Sequence, residues 1–215
     1  MKYQTVLFDF DGTLSPTLDY WLNSFRSALG TLGIRATDDE IFAKCFYKND
    51  DQIAKAFGLQ SCAAFWRHTS DALKIHFDAP ELFTGVDEVL AFCEQRNVKV
   101  GLVTSGERAV VEPALQKMGV HHHFHTTVTA EDITHFKPHP EPVLKALAAL
   151  NSDPKNTLFV GDHMVDVAAG KAAGTDTAVY FTDRHSRFHR VDELQSAGPT
   201  FIFSDYKDLL TTLSS

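Results

Sequence analysis

Short apolar runs recur along the chain, and stretches of helical periodicity separate most of them. The first run covers residues 3–10, and the later ones cover 98–105, 125–130, 156–162, 176–181 and 199–204. Each is short and rich in Val, Thr or Phe, which is typical of strands. Helical patterns lie between the later runs, at 85–96, 107–118, 139–150, 164–173 and 205–213. This alternation predicts a Rossmann-like, doubly wound α/β fold with a parallel sheet covered on both faces.

The segment after the first strand has a different pattern, with helical periodicity and no strand. One face of its first helix is apolar, at Leu18, Trp21, Leu22, Phe25 and Leu29. "TDDE" at 37–40 has the form of a capping box, and "NDDQ" at 49–52 resembles another helix start. We therefore expect an inserted all-helical cap domain of four or five helices at 15–82. Residues 1–14 and 83–215 would together form the α/β catalytic core domain.

Composition and charge narrow the class of protein. Hydrophobic residues make up 44% of the 215 positions, which is ample for a core and argues against disorder. The formal net charge of −8 argues against nucleic acid or an anionic membrane as the main partner, since both attract basic surfaces.

The cysteines and the chain start indicate a compartment. Cys45, Cys62 and Cys93 are odd in number and lack CxxC spacing, so we expect reduced, buried thiols. No basic segment precedes an apolar stretch, and no run approaches the roughly 18 residues that span a bilayer. The sequence therefore predicts a cytoplasmic protein without a membrane segment.

Polar residues with catalytic chemistry follow several of the predicted strands. In an open α/β sheet the functional crevice lies beyond the carboxyl ends of the strands, so these residues are expected to converge there. They are Asp9, Asp11, Thr104, Ser105, Asp162 and Asp166, joined by Lys137 from the loop before the helix at 139.

This set suits phosphoryl transfer. Asp9 can attack phosphorus as a carboxylate nucleophile, and Asp11, two residues on, can protonate the leaving oxygen and later activate water. Carboxylates that share a site repel each other, and Mg²⁺ relieves that repulsion and also neutralises the phosphate. Lys137 and Thr104 add a positive charge and a donor for the phosphate oxygens.

Each piece also has a structural interpretation on its own. Asp9 and Asp11 can form a solvated turn, residues 104–106 a loop with a helix cap, and Lys137 an ordinary surface charge. Residues 161–166 can be a helix start with acidic caps favoured by the dipole. Their order along the chain, with three of them at strand ends, favours the functional interpretation.

With these motifs the chain resembles the haloacid dehalogenase (HAD) superfamily, in particular its phosphatases with a helical C1-type cap. "FDFDGTL" is similar to the first motif, "LVTS" to the second, "FKPHPEPV" to the third and "VGDHMVDVAAGKAAG" to the fourth. The branch that it most resembles contains phosphoglycolate phosphatase-like and β-phosphoglucomutase-like enzymes.

The resemblance implies catalytic roles and a Mg²⁺ cofactor. Asp9 would be the nucleophile that forms an aspartyl-phosphate, and Asp11 the general acid and base. Mg²⁺ would be held by the Asp9 carboxylate, the Asp11 backbone carbonyl and Asp162, and Asp166 would support the metal site.

The resemblance also implies a phosphate site. Thr104, Ser105 and Lys137 would bind the transferring phosphoryl group. Because the family's dehalogenases lack the second motif-one aspartate, Asp11 favours phosphate chemistry over carbon–halogen cleavage.

Two positions depart from the family pattern. Pro16 and Thr17 stand where many relatives carry Asp and then Ser or Thr, at the start of the cap. Phe136 precedes the motif-three lysine where Gly is common, and we expect it to pack rather than to narrow the site mouth.

Two further stretches attract attention without a clear pattern. His121, His122, His123 and His125 invite a zinc hypothesis, but their spacing matches no fixed ligand pattern, and consecutive histidines should point different ways. "DRHSRFHR" at 183–190 is a basic patch that we interpret as a solvated loop. Alternatively, its arginines Arg184, Arg187 or Arg190 approach an anionic ligand or partner.

Three functions follow from different classes. The favoured one is a Mg²⁺-dependent phosphohydrolase that acts on a small phosphorylated metabolite as a monomer or homodimer. A phosphomutase of the β-phosphoglucomutase type would need cap residues arranged for a sugar phosphate, and no such set is recognisable. A non-enzymatic binding or scaffold protein predicts lost carboxylates, whereas Asp9, Asp11, Asp162 and Asp166 are present.

Overall fold

A six-stranded parallel sheet forms the centre of the larger part of the chain. The computed structural model describes residues 2–215. The strands are β1 (Thr5–Phe8), β2 (Lys99–Val103), β3 (Thr126–Val128), β4 (Thr157–Gly161), β5 (Asp176–Tyr180) and β6 (Phe201–Phe203). Their order in the sheet is β3-β2-β1-β4-β5-β6, and every neighbouring pair is parallel.

Strand β1 lies between β2 and β4 and is buried along its whole length. Successive side chains of a strand point to opposite faces, so a strand buried at every position has packed layers on both faces. Leu7, on one face, belongs to a core with side chains of the helices that follow β3 and β4. The expected α/β class with a covered parallel sheet is therefore confirmed.

Helices connect the strands and cover the sheet. They are α5 (Val86–Gln95), α6 (Arg108–Lys117), α7 (Glu141–Leu150), α8 (Met164–Ala173), α9 (Val191–Ser196) and α10 (Tyr206–Ser214), numbered in chain order after the four helices that lie within residues 18–76. Helix α7 packs against β2, β3 and α8, while α5 packs against β2 and α10. Helix α9 has no counterpart in the sequence prediction, because six residues are too few to show a helical period.

The chain divides into two compact units, Met1–Pro16 with Glu81–Ser215 and, separately, Thr17–Pro80. The second unit is all helical: α1 (Leu18–Thr31), α2 (Asp38–Lys44), α3 (Asp50–Phe57) and α4 (Ala63–His76). Phe25 of α1 is central in this unit, with its ring centroid 5.6 Å from that of Phe65 and 5.3 Å from that of Phe46. That this unit acts as a cap stays a prediction.

Capping boxes start two of these helices, at the positions where the sequence indicated a capping box (Thr37) and a helix start (Asn49). The Thr37 side chain accepts from the backbone N–H of Glu40, whose carboxylate accepts from the Thr37 N–H. Asn49 and Gln52 do the same at α3. Each pair satisfies two backbone donors that the first helical turn leaves open.

In the described part of the chain, none of the helices combines the length and the apolar character needed to cross a membrane. The three cysteines are free and buried, as expected. Burial raises the pKa of the Cys45 and Cys93 thiols to about 12.

These thiols are expected to be inert in the folded protein, because the thiolate is the reactive form and burial blocks access. Native protein should therefore react with Ellman's reagent only over the time scale of unfolding, and guanidinium chloride should release all three thiols. Absorbance of the released thionitrobenzoate measures this. A thiol that reacts within seconds in native buffer would contradict the burial of the cysteines.

Candidate active site

Asp9 follows directly after the last residue of β1. Its backbone N–H donates to the Val160 carbonyl at 2.8 Å, which extends the ladder between β1 and β4 by one residue. Its carboxylate Oδ1 accepts from the Phe10 N–H at 2.8 Å. Asp9 is buried, so the carboxylate is held at the carboxyl end of the sheet's central strand.

Lys137 is buried at the same place. Its Nζ lies 2.9 Å from Asp9 Oδ1 and 2.7 Å from Asp166 Oδ1, and it donates to the Val103 carbonyl at the end of β2 at 3.3 Å. Only 4% of its side chain is exposed. The interpretation of Lys137 as a surface charge is therefore wrong.

Asp166 has two roles at the start of α8. Its Oδ2 accepts from the His163 N–H at 3.1 Å and completes a capping box, while Oδ1 contacts Lys137. The close fit against β4 requires glycine, because a Cβ on Gly161 would lie 2.4 Å from the Asp166 Cβ. The interpretation of residues 161–166 as a helix start with an acidic cap is therefore confirmed, and their functional role stays a prediction.

Asp9, Asp162 and Asp166 form a buried cluster in which one donor atom from each lies within 4.8 Å of the others. Burial raises the pKa of Asp9 well above its usual range, and although Lys137 opposes this, the neighbouring carboxylates add to it. Burial likewise raises the pKa of Asp166 against the pull of Lys137. One lysine thus leaves negative charge unbalanced, and three carboxylates fit a hard divalent cation.

Asp11 lies on the turn that leaves β1. Gly12 has φ 73°, and its N–H donates to the Ser15 carbonyl at 2.9 Å, so the chain turns sharply after Asp11. A Cβ placed on Gly106 would lie 3.9 Å from Asp11 Oδ2 and 3.3 Å from Thr104 Oγ1. The structure therefore brings the first and second motifs to the same edge.

Thr104 follows β2 and is buried. Its hydroxyl oxygen accepts from the Gly106 N–H at 3.0 Å, which leaves the hydroxyl hydrogen for another acceptor. Ser105, the next residue, is exposed. Phe136 is 51% exposed, so the expectation that it packs is wrong.

Two histidines of the loop at 181–190, which contains the basic stretch 183–190, belong to this region, and sequence reasoning missed them. His185 and His189 are 1% and 5% exposed, whereas Arg184 and Arg187 are exposed. His189 Nε2 lies 2.6 Å from Asp162 Oδ2. The interpretation of this stretch as a wholly solvated loop is therefore wrong, and only its position after a strand could have pointed to the site.

His189 and Asp162 each shift the pKa of the other. Burial favours the neutral form of His189, but the Asp162 carboxylate outweighs burial and raises the pKa of the imidazole. Burial also opposes ionisation of Asp162, yet His189 outweighs it and holds the pKa of that carboxyl below its usual value. Each group therefore favours the charged form of the other.

The two histidine-rich groups outside the site lie at the surface, with His122, His135 and His139 exposed and His123 partly buried. The rings of His122 and His123 lie 4.0 Å apart, and His123 Nδ1 is 3.0 Å from Glu94 Oε2, so the expectation that adjacent histidines point apart is wrong. His135 Nδ1 lies 2.9 Å from Glu141 Oε2 at the start of α7.

Comparison with known proteins identifies relatives along the whole chain. A family model described as haloacid dehalogenase-like hydrolase matches residues 6–180. Pyrophosphatase PpaX of Oceanobacillus iheyensis is 31% identical over 219 residues, which cover 98% of this chain and 97% of that protein.

Solved structures share the fold. One named as a haloacid dehalogenase-like hydrolase from Bacteroides fragilis has a TM-score of 0.85 and 25% identity and covers 96% of this chain and 99% of its own. CbbY from Rhodobacter sphaeroides in complex with phosphate has a TM-score of 0.82, 19% identity and 96% coverage of both chains.

The contact between Gly161 and Asp166 can be tested by adding one methyl group. We expect Gly161→Ala to lower the free energy of unfolding by about 1–3 kcal/mol, since β4 and α8 must separate to admit the new Cβ. Gly30→Ala in α1 is the matched control. A Cβ there meets nothing within 4 Å, and a helix gains up to about 1 kcal/mol from Ala over Gly.

Urea denaturation of both variants measures the two free energies. Equal stability of Gly161→Ala and the parent protein would contradict the tight approach of Asp166 to β4.

Proposed function

The chain belongs to the haloacid dehalogenase-like hydrolases and is a phosphatase of that family, and on this premise we propose the chemistry that it performs. It is a Mg²⁺-dependent phosphohydrolase that cleaves a small-molecule phosphomonoester through an aspartyl-phosphate on Asp9. The observation that carries the proposal is the buried Asp9 carboxylate, held 2.9 Å from Lys137 beside Asp162 and Asp166.

Asp9 is the nucleophile. A carboxylate oxygen attacks phosphorus, the new O–P bond forms, and the bond from phosphorus to the leaving oxygen breaks. Attack needs the ionised carboxylate, while burial raises the pKa of Asp9 well above its usual range. Positive charge beside it is therefore a requirement of the chemistry, and the Lys137 ammonium supplies part of it.

Asp11 manages the proton. It donates a proton to the leaving oxygen in the first step and takes one from the attacking water in the second, so that water's oxygen ends on phosphate and Asp9 is regenerated. Its position supports this role, because Gly12 carries the chain away at once and leaves Asp11 at the edge of the sheet near the Thr104–Gly106 turn.

Mg²⁺ fits the donor set of the site. The Asp9, Asp162 and Asp166 carboxylates and the Asp11 backbone carbonyl are hard oxygen ligands, which this ion prefers. When bound, Mg²⁺ would neutralise carboxylate and phosphate charge together. The single positive charge of Lys137 is shared by the Asp9 and Asp166 carboxylates, so a further cation is favoured electrostatically.

Lys137, Thr104 and Ser105 bind the transferring phosphoryl group. The Thr104 hydroxyl accepts from the Gly106 N–H and can donate its own hydrogen to a phosphoryl oxygen. Lys137 contributes a point charge that draws both the nucleophile and the phosphate to it. The partner is a small phosphorylated metabolite. The cytoplasmic location and the monomeric or homodimeric state stay predictions.

Replacement of the nucleophile provides the first test. We expect Asp9→Asn to lower kcat by about a thousandfold or more, because loss of a covalent nucleophile removes the whole pathway. Asp153→Asn is the control, since Asp153 is exposed and its side chain accepts from the Lys155 N–H, which an amide oxygen also does. Phosphate release from a panel of phosphorylated metabolites and inorganic pyrophosphate, with Mg²⁺ or excess EDTA, measures the rates.

The panel also separates the substrate classes. Pyrophosphate is included because relatives are named pyrophosphatase. Sugar-phosphate isomerisation that depends on a bisphosphate activator would favour the phosphomutase instead. Undiminished turnover by Asp9→Asn, or by the parent protein in EDTA, would rule out the mechanism.

The role of Asp11 predicts a burst. Nitrophenolate leaves without a proton, so Asp11→Asn should still transfer the phosphoryl group from p-nitrophenyl phosphate to Asp9 but should hydrolyse the intermediate slowly. Stopped-flow absorbance should show one nitrophenolate per enzyme and then turnover at least about a hundredfold below the parent rate. Asp9→Asn should give no burst. Unchanged steady turnover by Asp11→Asn would remove the acid–base role.

A further inference from the structure

The loop at 181–190 carries two buried histidines that the proposed chemistry does not use. It follows β5 and includes one 3-10 turn at His185–Arg187. Its side chains divide by type, because both histidines are buried while the arginines at 184, 187 and 190 are exposed. Polar side chains are rarely buried without a partner, so the two buried imidazoles are expected to make specific contacts inside the protein.

His185 fixes the loop to the turn after β1. Its Nδ1 accepts from the Thr182 backbone N–H at 3.0 Å, so that nitrogen carries no hydrogen. Nε2 then carries the hydrogen and donates to the Gly12 carbonyl at 2.6 Å. Burial lowers the pKa of His185, which favours this neutral ring. The turn that holds Asp11 and the loop are thus joined by one buried hydrogen bond.

His189 reaches Asp162 from the other end of the loop. The distance from Nε2 to Asp162 Oδ2 is 2.6 Å, and each side chain is 1% exposed. The ring also packs against His163, with centroids 4.7 Å apart. The imidazole therefore has a defined place, and its N–H takes one of the two oxygens of Asp162.

We propose that His189 is a positioning residue of the metal site: its Nε2–H holds one oxygen of Asp162 so that the other is presented to the divalent cation. This inference rests on the proposed function, since it concerns the same cation. Of the described contacts, the hydrogen bond from His189 is the one that fixes the rotation of this carboxylate. Partners that orient a ligand change metal affinity by about ten- to hundredfold when they are removed.

The exposed arginines offer a competing explanation of the loop. In that case Arg184 or Arg190 would draw in an anionic ligand and the histidines would only fill space. Arg190 already pairs with Asp192, at 2.9 Å, and its side chain is 71% exposed. The buried geometry therefore favours a role directed to Asp162 rather than to solvent.

The test compares three replacements of His189. His189→Gln keeps an N–H donor at about the reach of Nε2, His189→Asn is shorter and loses that reach, and His189→Leu removes the donor. Arg184→Gln and Arg190→Gln are matched controls in the same loop. Binding of Mn²⁺, followed by the electron paramagnetic resonance of the free ion, reads metal affinity without turnover, and thermal unfolding confirms that each variant is folded.

We expect Kd for Mn²⁺ to rise about ten- to hundredfold in His189→Asn and His189→Leu and to stay within about threefold in His189→Gln and the arginine variants. If His189→Leu does not fold, the comparison of Asn with Gln carries the test. The Mg²⁺ concentration for half-maximal activity should shift in parallel, with recovery of kcat at saturating Mg²⁺.

Other outcomes overturn the inference in distinguishable ways. Parent-like affinity in His189→Asn removes the positioning role and leaves the proposed function intact. Equal changes in His189→Gln and His189→Asn would assign the effect to charge and not to the hydrogen bond. Failure of the parent protein to bind Mn²⁺ would reject the metal-dependent function itself.

Discussion

The ion pairs of Lys137 with Asp9 and Asp166 are the interaction on which the site depends. Carboxylates buried at the end of β1 and in the first turn of α8 are costly without a counter-charge, and removal of one partner from a buried pair costs about 3–5 kcal/mol. Lys137 comes from the loop before α7 and contacts both, at 2.9 and 2.7 Å. One side chain thereby joins two strand ends and the first turn of α8.

Charge that Lys137 leaves unbalanced explains the rest of the arrangement. Burial raises the pKa of both Asp9 and Asp166, so added positive charge would stabilise their ionised forms. His189 compensates part of the negative charge at Asp162, and a divalent cation would compensate the rest. In the proposed mechanism stability and catalysis have the same requirement, because the ionised carboxylate that would bind a cation is also the one that would attack phosphorus.

Sheet order places these groups together. Because β1 lies between β2 and β4, the residues that follow these three neighbouring strands meet at one edge of the sheet. Strand β5 lies next to β4, and the loop that follows β5 contacts Asp162 through His189. Small residues permit the approach, as at Gly161, where any side chain would meet Asp166. His185 of the same loop bonds to the Gly12 carbonyl in the turn after Asp11. The loop at 181–190 therefore contacts both the turn that carries Asp11 and the Asp162 carboxylate.

The sequence by itself determined the alternating β and α elements, the inserted helices, and the strand-end positions of Asp9, Asp11 and Asp162, because periodicity and a polar residue after an apolar run are local properties. It also indicated the capping box at Thr37 and a helix start at Asn49. Only the tertiary structure decided that His185 and His189 are buried, since their partners Gly12 and Asp162 lie 173 and 27 residues away. A loop has no periodic pattern of apolar residues, so its sequence does not show which side chains are buried. Their burial depends on the strand order, which decides what lies beside the loop.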